Sequence, residues 1–188
     1  FILPQTIGDG LQPLYRDKVD TTHPAFARTE AEVRDRIQRV MSIKGDSTPL
    51  SIHKRLGKVI WNNCGMSRNA EDLASALDQV DQLKKEFWEN VNIPGTDGDV
   101  NQTLERALRL VDFLEIGELM CRDALMRDES CGCHFREDHV ADDGEVQRND
   151  EDFSHVAAWE WTGEDSVSER HEEQLSYEVM QPATRSYK

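Results

Sequence analysis

Residues 101–127 read NQTLERALRLVDFLEIGELMCRDALMR and form the longest helical pattern in the sequence. Apolar side chains recur through this stretch at steps of three and four residues and cover more than one face of the predicted helix. They include Leu104, Leu108, Val111, Leu114, Leu119 and Leu125. A helix that is apolar around much of its girth is buried by several neighbours at once. The stretch therefore predicts the central helix of a bundle.

The first of three earlier helical patterns begins near Thr29. Thr29 and Glu32 form a capping box, in which the two side chains satisfy backbone N–H groups at the start of a helix. One apolar face follows at helical spacing and consists of Val33, Ile37, Val40 and Met41. The glycine-containing stretch at 44–46 predicts the end of this helix.

The second and third helical patterns also have clear boundaries. Thr48 is a predicted N-cap with Pro49 at the first helical position, and Gly65 is predicted in a left-handed conformation just past the end. The third helix is predicted over 69–91, before Pro94. The predicted buried stripes are Ile52, Leu56, Val59 and Ile60 in the second helix, and Leu73, Leu77, Val80, Leu83 and Phe87 in the third. The four patterns together predict a mainly α fold, an up-down bundle of three to four helices similar to a spectrin repeat.

The pattern changes after residue 130, where an irregular acidic tail begins. Apolar and polar residues alternate around 156–161 and again around 175–180, and a period of two indicates strands. These segments predict a short β-hairpin across a charged loop that includes 165–173. We therefore divide the chain into an extended lead-in at 1–23, a helical bundle at 24–130 and a tail at 131–188. Because the chain begins at Phe1 rather than Met, we interpret it as a piece of a larger protein.

The composition excludes some classes of partner. The formal net charge is −15 at pH 7, and most of it lies between Glu137 and Glu178, where fifteen Asp or Glu accompany two Arg. Such a surface argues against nucleic-acid binding, and it favours either a solvated acidic face or docking of a basic partner. The four cysteines are too few for a disulfide framework and predict free thiols in a reducing, cytosolic compartment. No apolar run approaches the roughly 20 residues that span a bilayer.

Reactive groups are concentrated at 128–138, directly after the central helix. Cys131, Cys133, His134 and His139 are four potential zinc ligands, but structural zinc sites favour at least two residues between paired cysteines. A thiol beside His134 or Arg136 would have a lowered pKa, yet Cys-x-Cys differs from the Cys-x-x-Cys of redox folds. The third alternative is a structural connector whose charges pair across an interface. No glycine-rich phosphate loop or Gly-x-Ser-x-Gly turn occurs, so no complete active site is predicted.

Several segments together resemble one family. Residues 129–138 resemble the Glu-Ser-Arg-Gly-Ala-His-x-Arg-x-Asp segment of succinate dehydrogenase and fumarate reductase flavoprotein subunits. Residues 148–153 resemble the Arg-Asp-Asp-Glu-Asn-Trp that follows that segment. The ending at 185–188 and the helix and turn at 53–69 are also similar to this family, so the resemblance covers nearly the whole chain.

Two positions depart from the wider family pattern. Cys131 stands where Arg is usual, as it does in a subgroup of succinate dehydrogenases that reads Glu-Ser-Cys-Gly-Gly-His. Cys133 stands where Ala is usual, which exchanges one small side chain for another and keeps the packing. The departure at Cys131 puts any role of the missing Arg in doubt.

The resemblance implies that the chain is the C-terminal portion of an FAD-dependent succinate dehydrogenase flavoprotein subunit. Such a subunit oxidises succinate to fumarate and passes electrons to an iron–sulfur subunit and quinone. A membrane anchor holds the complex at the cytoplasmic face of the inner membrane. Fumarate reductase and L-aspartate oxidase are the alternatives within the family, and a non-enzymatic helical adaptor with an acidic docking tail is the alternative outside it.

The resemblance also indicates what this chain contributes. None of the family's catalytic, FAD-binding or metal-binding motifs matches a position here, so the isolated piece is expected to bind no cofactor and to be inactive. The bundle would support the flavin domain of the same subunit, and the segment 128–153 would dock on that domain or on the iron–sulfur subunit. The predicted docking residues are Glu129, His134, Arg136, Asp138 and Arg148.

Overall fold

Four helices account for most of the chain, as the sequence predicts. The computed structural model describes residues 22–98, 100–163 and 166–183, so most of the predicted lead-in and the ending at 185–188 lie outside the described residues. The helices are α1 (Pro24–Ser42), α2 (Pro49–Asn63), α3 (Ala70–Asn90) and α4 (Gln102–Met126), followed by the one-turn helix α5 (Asp150–Phe153). The predicted mainly α bundle is confirmed.

Side-chain caps explain where three of the helices begin. Thr48, Asn69 and Asn101 precede α2, α3 and α4, and their side-chain oxygens accept N–H groups of the first turn at 2.8–3.2 Å. These groups have no partner within the helix, so the caps stabilise each start. All three boundaries agree with the sequence prediction.

The start predicted for the first helix is wrong. The helix begins at Pro24, and Thr29 lies inside it. His23 caps α1 because its Nδ1 accepts the Ala25 N–H at 3.2 Å, and proline suits the first helical position, where no N–H is needed. Only the second half of α1 packs on the core, so Val33, predicted on the buried face, is 53% exposed.

The core lies around α4, which contacts each of the other three long helices. Its central position confirms the prediction from the sequence. The buried core side chains include Val40, Ile52, Leu56, Val80, Leu83, Phe87, Leu104, Leu110, Val111 and Leu114. Gly117 allows α4 to approach α2 closely, since a Cβ at this position would lie 3.3 Å from Leu56 Cδ1 and 3.4 Å from Ile60 Cδ1. Along the described ranges, no helix combines the length and the apolar character that crossing a bilayer requires.

The turn after α2 differs from the prediction. Gly65 does not have a positive φ, and Cys64 is the residue that ends the helix. Glycine is needed at position 65 for another reason, because a Cβ there would lie 2.6 Å from the carbonyl oxygen of Trp61. The side chain of Trp61 is 82% exposed.

A two-stranded antiparallel sheet, β1 (His155–Glu160) and β2 (Glu169–Gln174), follows the bundle. The first strand lies where the sequence predicts it, but the second strand predicted at 175–180 is wrong. The partner strand instead consists mainly of charged residues from the segment predicted as loop. Both faces of β2 are largely exposed, so apolar alternation does not decide its pairing. Trp159 Nε1 donates to Asp123 Oδ1 at 2.8 Å and joins β1 to α4.

Candidate docking site

The segment after α4 turns back over the end of the bundle. Cys131 and His134 exchange backbone hydrogen bonds, with N···O distances of 2.9 and 3.0 Å, around a tight turn. Gly132 has a φ of 60° in this turn, a conformation that side chains with a Cβ rarely adopt. Gly132 is therefore required by the turn, whatever role its neighbours have.

The same segment pairs with the connection between α2 and α3. The Arg68 N–H donates to the Phe135 carbonyl at 3.1 Å, and the Glu137 N–H donates to the Arg68 carbonyl at 2.7 Å. The buried Ser130 hydroxyl accepts the Arg136 N–H at 2.8 Å and donates to the Arg136 carbonyl at 2.9 Å. These contacts hold the backbone of Arg136 in place from both sides.

The Arg136 side chain is buried at the C-terminal end of α4 and is 1% exposed. Its Nη1 lies 3.4 Å from each of three carbonyl oxygens, those of Ala124, Leu125 and Arg127. The last carbonyls of a helix lack partners within the helix and carry the negative end of its dipole. A guanidinium placed there donates to these carbonyls and brings a positive charge to the negative end of the dipole. Arg136 therefore acts as a long-range C-cap of α4.

The opposite side of the same guanidinium binds carboxylates. Arg136 Nε and Nη2 donate to the two oxygens of Asp138 at 2.7 Å each, and Nη2 also donates to Asp128 Oδ1 at 3.1 Å. Asp138 Oδ2 also accepts the Ala70 N–H at 3.0 Å, at the N-terminus of α3. The Arg136 guanidinium holds the pKa of the Asp138 carboxyl well below its usual range. One ion pair thus joins the end of α4 to the start of α3.

Glu129 and Arg148 extend this network toward α5. Glu129 is 2% exposed, and its carboxylate accepts the Arg127 Nε–H at 2.9 Å and the Asn149 N–H at 2.8 Å. Arg148 donates to Asp150 Oδ1 from Nε at 3.0 Å and from Nη2 at 2.6 Å. The start of α5 is therefore attached to the segment that follows α4.

His134 binds with both ring nitrogens. Its Nε2 donates to the Arg127 carbonyl at 2.8 Å, and its Nδ1 accepts from Arg68 Nη1 at 3.0 Å. Burial lowers the pKa of the imidazole, and the positive charges of Arg68, Arg127 and Arg136 lower it further. These contacts require a neutral ring that carries its proton on Nε2.

The zinc hypothesis finds no geometric support in the described part of the chain. No three of Cys131, Cys133, His134 and His139 bring ligand atoms within 4.8 Å of one another. His139 Nε2 instead contacts Asp128 Oδ1 at 2.8 Å. The cysteines at 131 and 133 lie on the tight turn, half-buried and exposed respectively.

The structure joins four of the predicted site residues, Glu129, His134, Arg136 and Asp138, in one network of contacts, while Arg148 binds Asp150 nearby. Glu129 and Arg136 are buried within this chain, while Asp138 and Arg148 are partly exposed. Their role in docking stays a prediction, because the contacts described above all lie within the chain. The sequence did not single out Arg68, which contacts His134. Arg68 could have been found from the sequence, because it lies in the segment at 53–69, which resembles the same family.

A further surface was also missed by the sequence prediction. The central helix α4 leaves one apolar stripe uncovered, with Phe113, Ile116 and Met120 exposed by 38%, 54% and 46%. Their spacing of three and four residues places them on one face. His53 is the one ring that packs on the stripe among the described residues, with its edge toward Phe113 at a centroid distance of 5.1 Å.

A model of the fumarate reductase flavoprotein C-terminal region matches residues 53–187, which is more than half of the chain. The chain belongs to this family. Within the family it corresponds to the C-terminal domain of succinate dehydrogenase and fumarate reductase flavoprotein subunits. The segments at 53–69, 129–138 and 148–153, on which the resemblance rested, all lie inside the matched range.

Curated relatives in this family include both fumarate reductase and succinate dehydrogenase flavoprotein subunits. The Escherichia coli fumarate reductase flavoprotein subunit is 26% identical over 164 residues, covering 87% of this chain and 26% of the relative. The Bacillus subtilis succinate dehydrogenase flavoprotein subunit is 24% identical over 158 residues, covering 81% of this chain and 25% of the relative. The chain thus spans about a quarter of the length of these relatives.

A solved structure has the same fold. A mutant of Escherichia coli quinol fumarate reductase superposes with a TM-score of 0.76 at 22% sequence identity, covering 91% of this chain and 28% of the other. The fold described above is therefore also found in part of a quinol fumarate reductase chain.

Proposed function

We propose that this chain is the C-terminal helical domain of an FAD-dependent succinate dehydrogenase flavoprotein subunit. Its role is to support the flavin domain of the same subunit, not to carry the active site. Family membership supports this proposal, together with relatives that are about four times longer. The resemblance to the Glu-Ser-Cys-Gly subgroup at Cys131 favours succinate oxidation as the reaction of the whole subunit.

The described residues of the candidate docking site do not fit a flavin site. FAD supplies hydride-transfer chemistry when it is bound, but its pyrophosphate requires glycine-rich backbone or unpaired cations. In the candidate site, Arg136 is paired with Asp128 and Asp138, and Arg148 is paired with Asp150. The sequence also lacks a Gly-x-Gly-x-x-Gly pattern. We therefore assign flavin binding and catalysis to the part of the subunit outside this chain.

The exposed stripe of α4 is the observation that carries the supporting role. The other faces of this helix are buried by α1, α2 and α3, yet Phe113, Ile116 and Met120 stay exposed by 38%, 54% and 46%, with His53 packed against Phe113. An apolar stripe on an otherwise buried helix fits a protein interface. The occupant that we propose is the flavin domain, because the relatives place a long chain outside the region that this one covers.

The segment 128–153 has a second role in the proposal. Its inner residues Glu129, His134, Arg136 and Asp138 attach it to the bundle, and Arg148 binds Asp150 within the segment. Its outer residues at 142–143 stay exposed and acidic. We propose that this outer side docks on the iron–sulfur subunit of a complex, which a membrane anchor places at the cytoplasmic face of the inner membrane, with quinone as electron acceptor.

Oxidative footprinting of the full subunit tests the docking of α4. Met120 and Met126 are each 46% exposed in this chain and lie on different faces of the same helix. Docking of the flavin domain should protect Met120 from hydroxyl radicals and leave Met126 reactive. Equal oxidation of the two residues in the assembled subunit would contradict the proposal.

A matched pair of variants tests the same surface by function. Ile116→Glu and Val33→Glu add one charge at positions that are 54% and 53% exposed, so neither change affects the core. We expect Ile116→Glu to reduce retained FAD and succinate turnover of the purified subunit, whereas Val33→Glu should leave both unchanged. Identical behaviour of the two variants would count against docking through α4.

Fumarate reduction is the second candidate for the whole subunit. It is favoured by the relatives that carry the name fumarate reductase, among them the one from Escherichia coli that covers 87% of this chain. Succinate oxidation with an artificial acceptor and fumarate reduction with a reduced viologen, measured on the same purified complex, distinguish the two. A faster fumarate reduction would overturn our assignment of direction while leaving the supporting role intact.

A further inference from the structure

Two of the four cysteines lie together inside the protein. Cys64 follows the last residue of α2 and is 4% exposed, and Cys121 lies in α4 and is fully buried. Both belong to a small cluster of buried side chains beside the main core, which also contains Leu73 and Ala76 of α3. The docking site uses neither thiol.

The packing of α2 on α4 brings these two thiols close together in one buried cluster. Gly117 of α4 faces Ile60 of α2, where the absence of a Cβ lets the helices approach closely. Cys121 lies four residues after Gly117, and Cys64 lies four residues after Ile60. Because α2 and α4 run in the same direction, one further turn along both chains places the two cysteines opposite each other. In this arrangement the Cys121 S–H acts as the donor and the Cys64 sulfur as the acceptor.

The surroundings of the pair favour one thiolate. The hydrogen bond from Cys121 lowers the pKa of the Cys64 thiol, and the nearby Arg68 guanidinium lowers it further, against the opposing effect of burial. The same hydrogen bond and burial raise the pKa of the Cys121 thiol. The pair therefore consists of a nucleophilic sulfur at position 64 and a protonated sulfur beside it.

Cys64 is buried but borders an open groove. This groove of about 860 Å³ lies between the end of α2 and the turn at 131–134. The groove is mainly apolar, and its other side chains include Trp61, Met66, Cys133 and Phe135. A small neutral oxidant could enter this groove and meet Cys64 before it meets Cys121.

We propose that Cys64 and Cys121 form a redox-active dithiol, which a hydroperoxide entering through the groove oxidises to a disulfide between α2 and α4. The Cys64 thiolate attacks one peroxide oxygen, the O–O bond breaks, and Cys64 becomes a sulfenic acid while hydroxide leaves and takes up the proton that the Cys64 thiol had released to solvent. The Cys121 sulfur then attacks Cys64, the S–O bond breaks, and the Cys121 proton leaves with that oxygen as water. The two cysteines lose two electrons in total, and one hydrogen peroxide becomes two waters. Thiol reductants of a reducing compartment reverse the reaction.

Mapping of disulfides in the full flavoprotein subunit tests this proposal. The subunit is treated with hydrogen peroxide, free thiols are blocked with N-ethylmaleimide, and the peptides are analysed by mass spectrometry without reduction. We expect a linked peptide that contains Cys64 and Cys121, two hydrogens lighter than the sum of its reduced parts, which dithiothreitol abolishes. Recovery of Cys64 as a blocked thiol after Cys133 has been oxidised would overturn the proposal, and so would a link from Cys64 to Cys133.

Two variants separate the steps. Cys121→Ser keeps the size of the side chain but removes the resolving sulfur, so Cys64 should stop at the sulfenic acid and be labelled by dimedone. Cys133→Ser removes the exposed cysteine on the other side of the groove and should leave the link between Cys64 and Cys121 intact. Loss of the link in Cys133→Ser would show that Cys133 takes part in the oxidation and would overturn the pairing assigned here.

Discussion

Arg136 connects two helix ends through a single side chain. Its guanidinium lies against the last carbonyls of α4 and, through Asp138, reaches the first turn of α3. A buried cation is unfavourable unless it is paired and hydrogen-bonded, and here every side of the guanidinium has a partner. The residue is therefore part of the interior of the bundle and not of its surface.

Removal of this side chain should open the end of the bundle. We expect Arg136→Met to cost about 3–5 kcal/mol locally, because the change leaves Asp138 and the carbonyls without their partner. Amide hydrogen exchange of the full subunit, read at 124–130, should accelerate by about a hundredfold or more. The control Arg34→Met removes an exposed ion pair with Glu30. It should change the free energy of local opening, obtained from exchange, by less than about 1 kcal/mol. Equal effects would contradict the capping role of Arg136.

His134 should make the same region sensitive to acid. Its pKa in the folded protein lies below the unfolded value of about 6.5, so the unfolded chain takes up the proton first as the pH falls. The contribution of the neutral ring to stability is complete above about pH 6.5 and is lost as the pH falls from there through the folded-state pKa.

The variant His134→Gln tests this pH dependence. The amide keeps a donor and an acceptor but does not titrate, so exchange at 127–136 should lose part of its acceleration below about pH 6.5. His53→Gln removes an exposed ring outside the segment. It gives the reference for how steeply the exchange rate at 127–136 changes with pH. If the exchange rate of His134→Gln changes with pH as steeply as that of His53→Gln, His134 does not cause the acid sensitivity.

The position of the site could be predicted at the residue scale, but its contacts could not. A dense group of charges after a buried helix marked 128–138, and the family resemblance pointed to the same residues. The burial of Arg136 was not predictable, since arginine is among the residues that are rarely buried. Its partners lie on two helices that are distant in sequence, and only the packed structure determines which carbonyls it meets.

At the scale of elements, two glycines inside helices should respond in opposite ways to substitution. No atom lies within 4 Å of a Cβ built on Gly57 of α2, so Gly57→Ala should stabilise the subunit by roughly 0.5–1 kcal/mol through helix propensity. Gly117→Leu places a side chain against Leu56 and Ile60 and should destabilise it by about 1–3 kcal/mol. Thermal unfolding measures the change in stability of each variant. A Gly117→Leu variant that is more stable than the unsubstituted subunit would contradict the close packing of α2 on α4.

Helices were more predictable than strands for a physical reason. Caps such as Thr48, Asn69 and Asn101 act within one turn, so the local sequence contains the information. The cap of α1 was missed because His23 uses a ring nitrogen, which the usual cap patterns do not include. The second strand was missed because its pairing depends on contacts across the hairpin, and the apolar alternation at 175–180 did not decide them.

At the scale of the whole molecule, the acidic charge is concentrated in the tail. The outer side of the segment 128–153 belongs to this region, and Asp142 is one of its exposed residues. If this side docks on a basic face of the iron–sulfur subunit, the association should weaken as salt increases, because the Debye length falls from about 8 Å at 0.15 M to about 3 Å at 1 M.

Co-purification of the iron–sulfur subunit at increasing salt measures this association. Asp142→Asn should lower the salt concentration at which the two subunits separate. Asp97→Asn removes another exposed charge, from the connection between α3 and α4, and should have no effect. Separation that does not depend on salt would indicate that another surface holds the complex together.

The contacts of Arg136 also have a consequence for kinetics. They require α3 and α4 to be complete and already packed, so we expect them to form after the transition state for folding of the bundle. Arg136→Met should accordingly raise the unfolding rate while leaving the refolding rate nearly unchanged, which stopped-flow measurements on the subunit would detect. The segment that follows α4 then determines how long the bundle stays folded and not how quickly it folds.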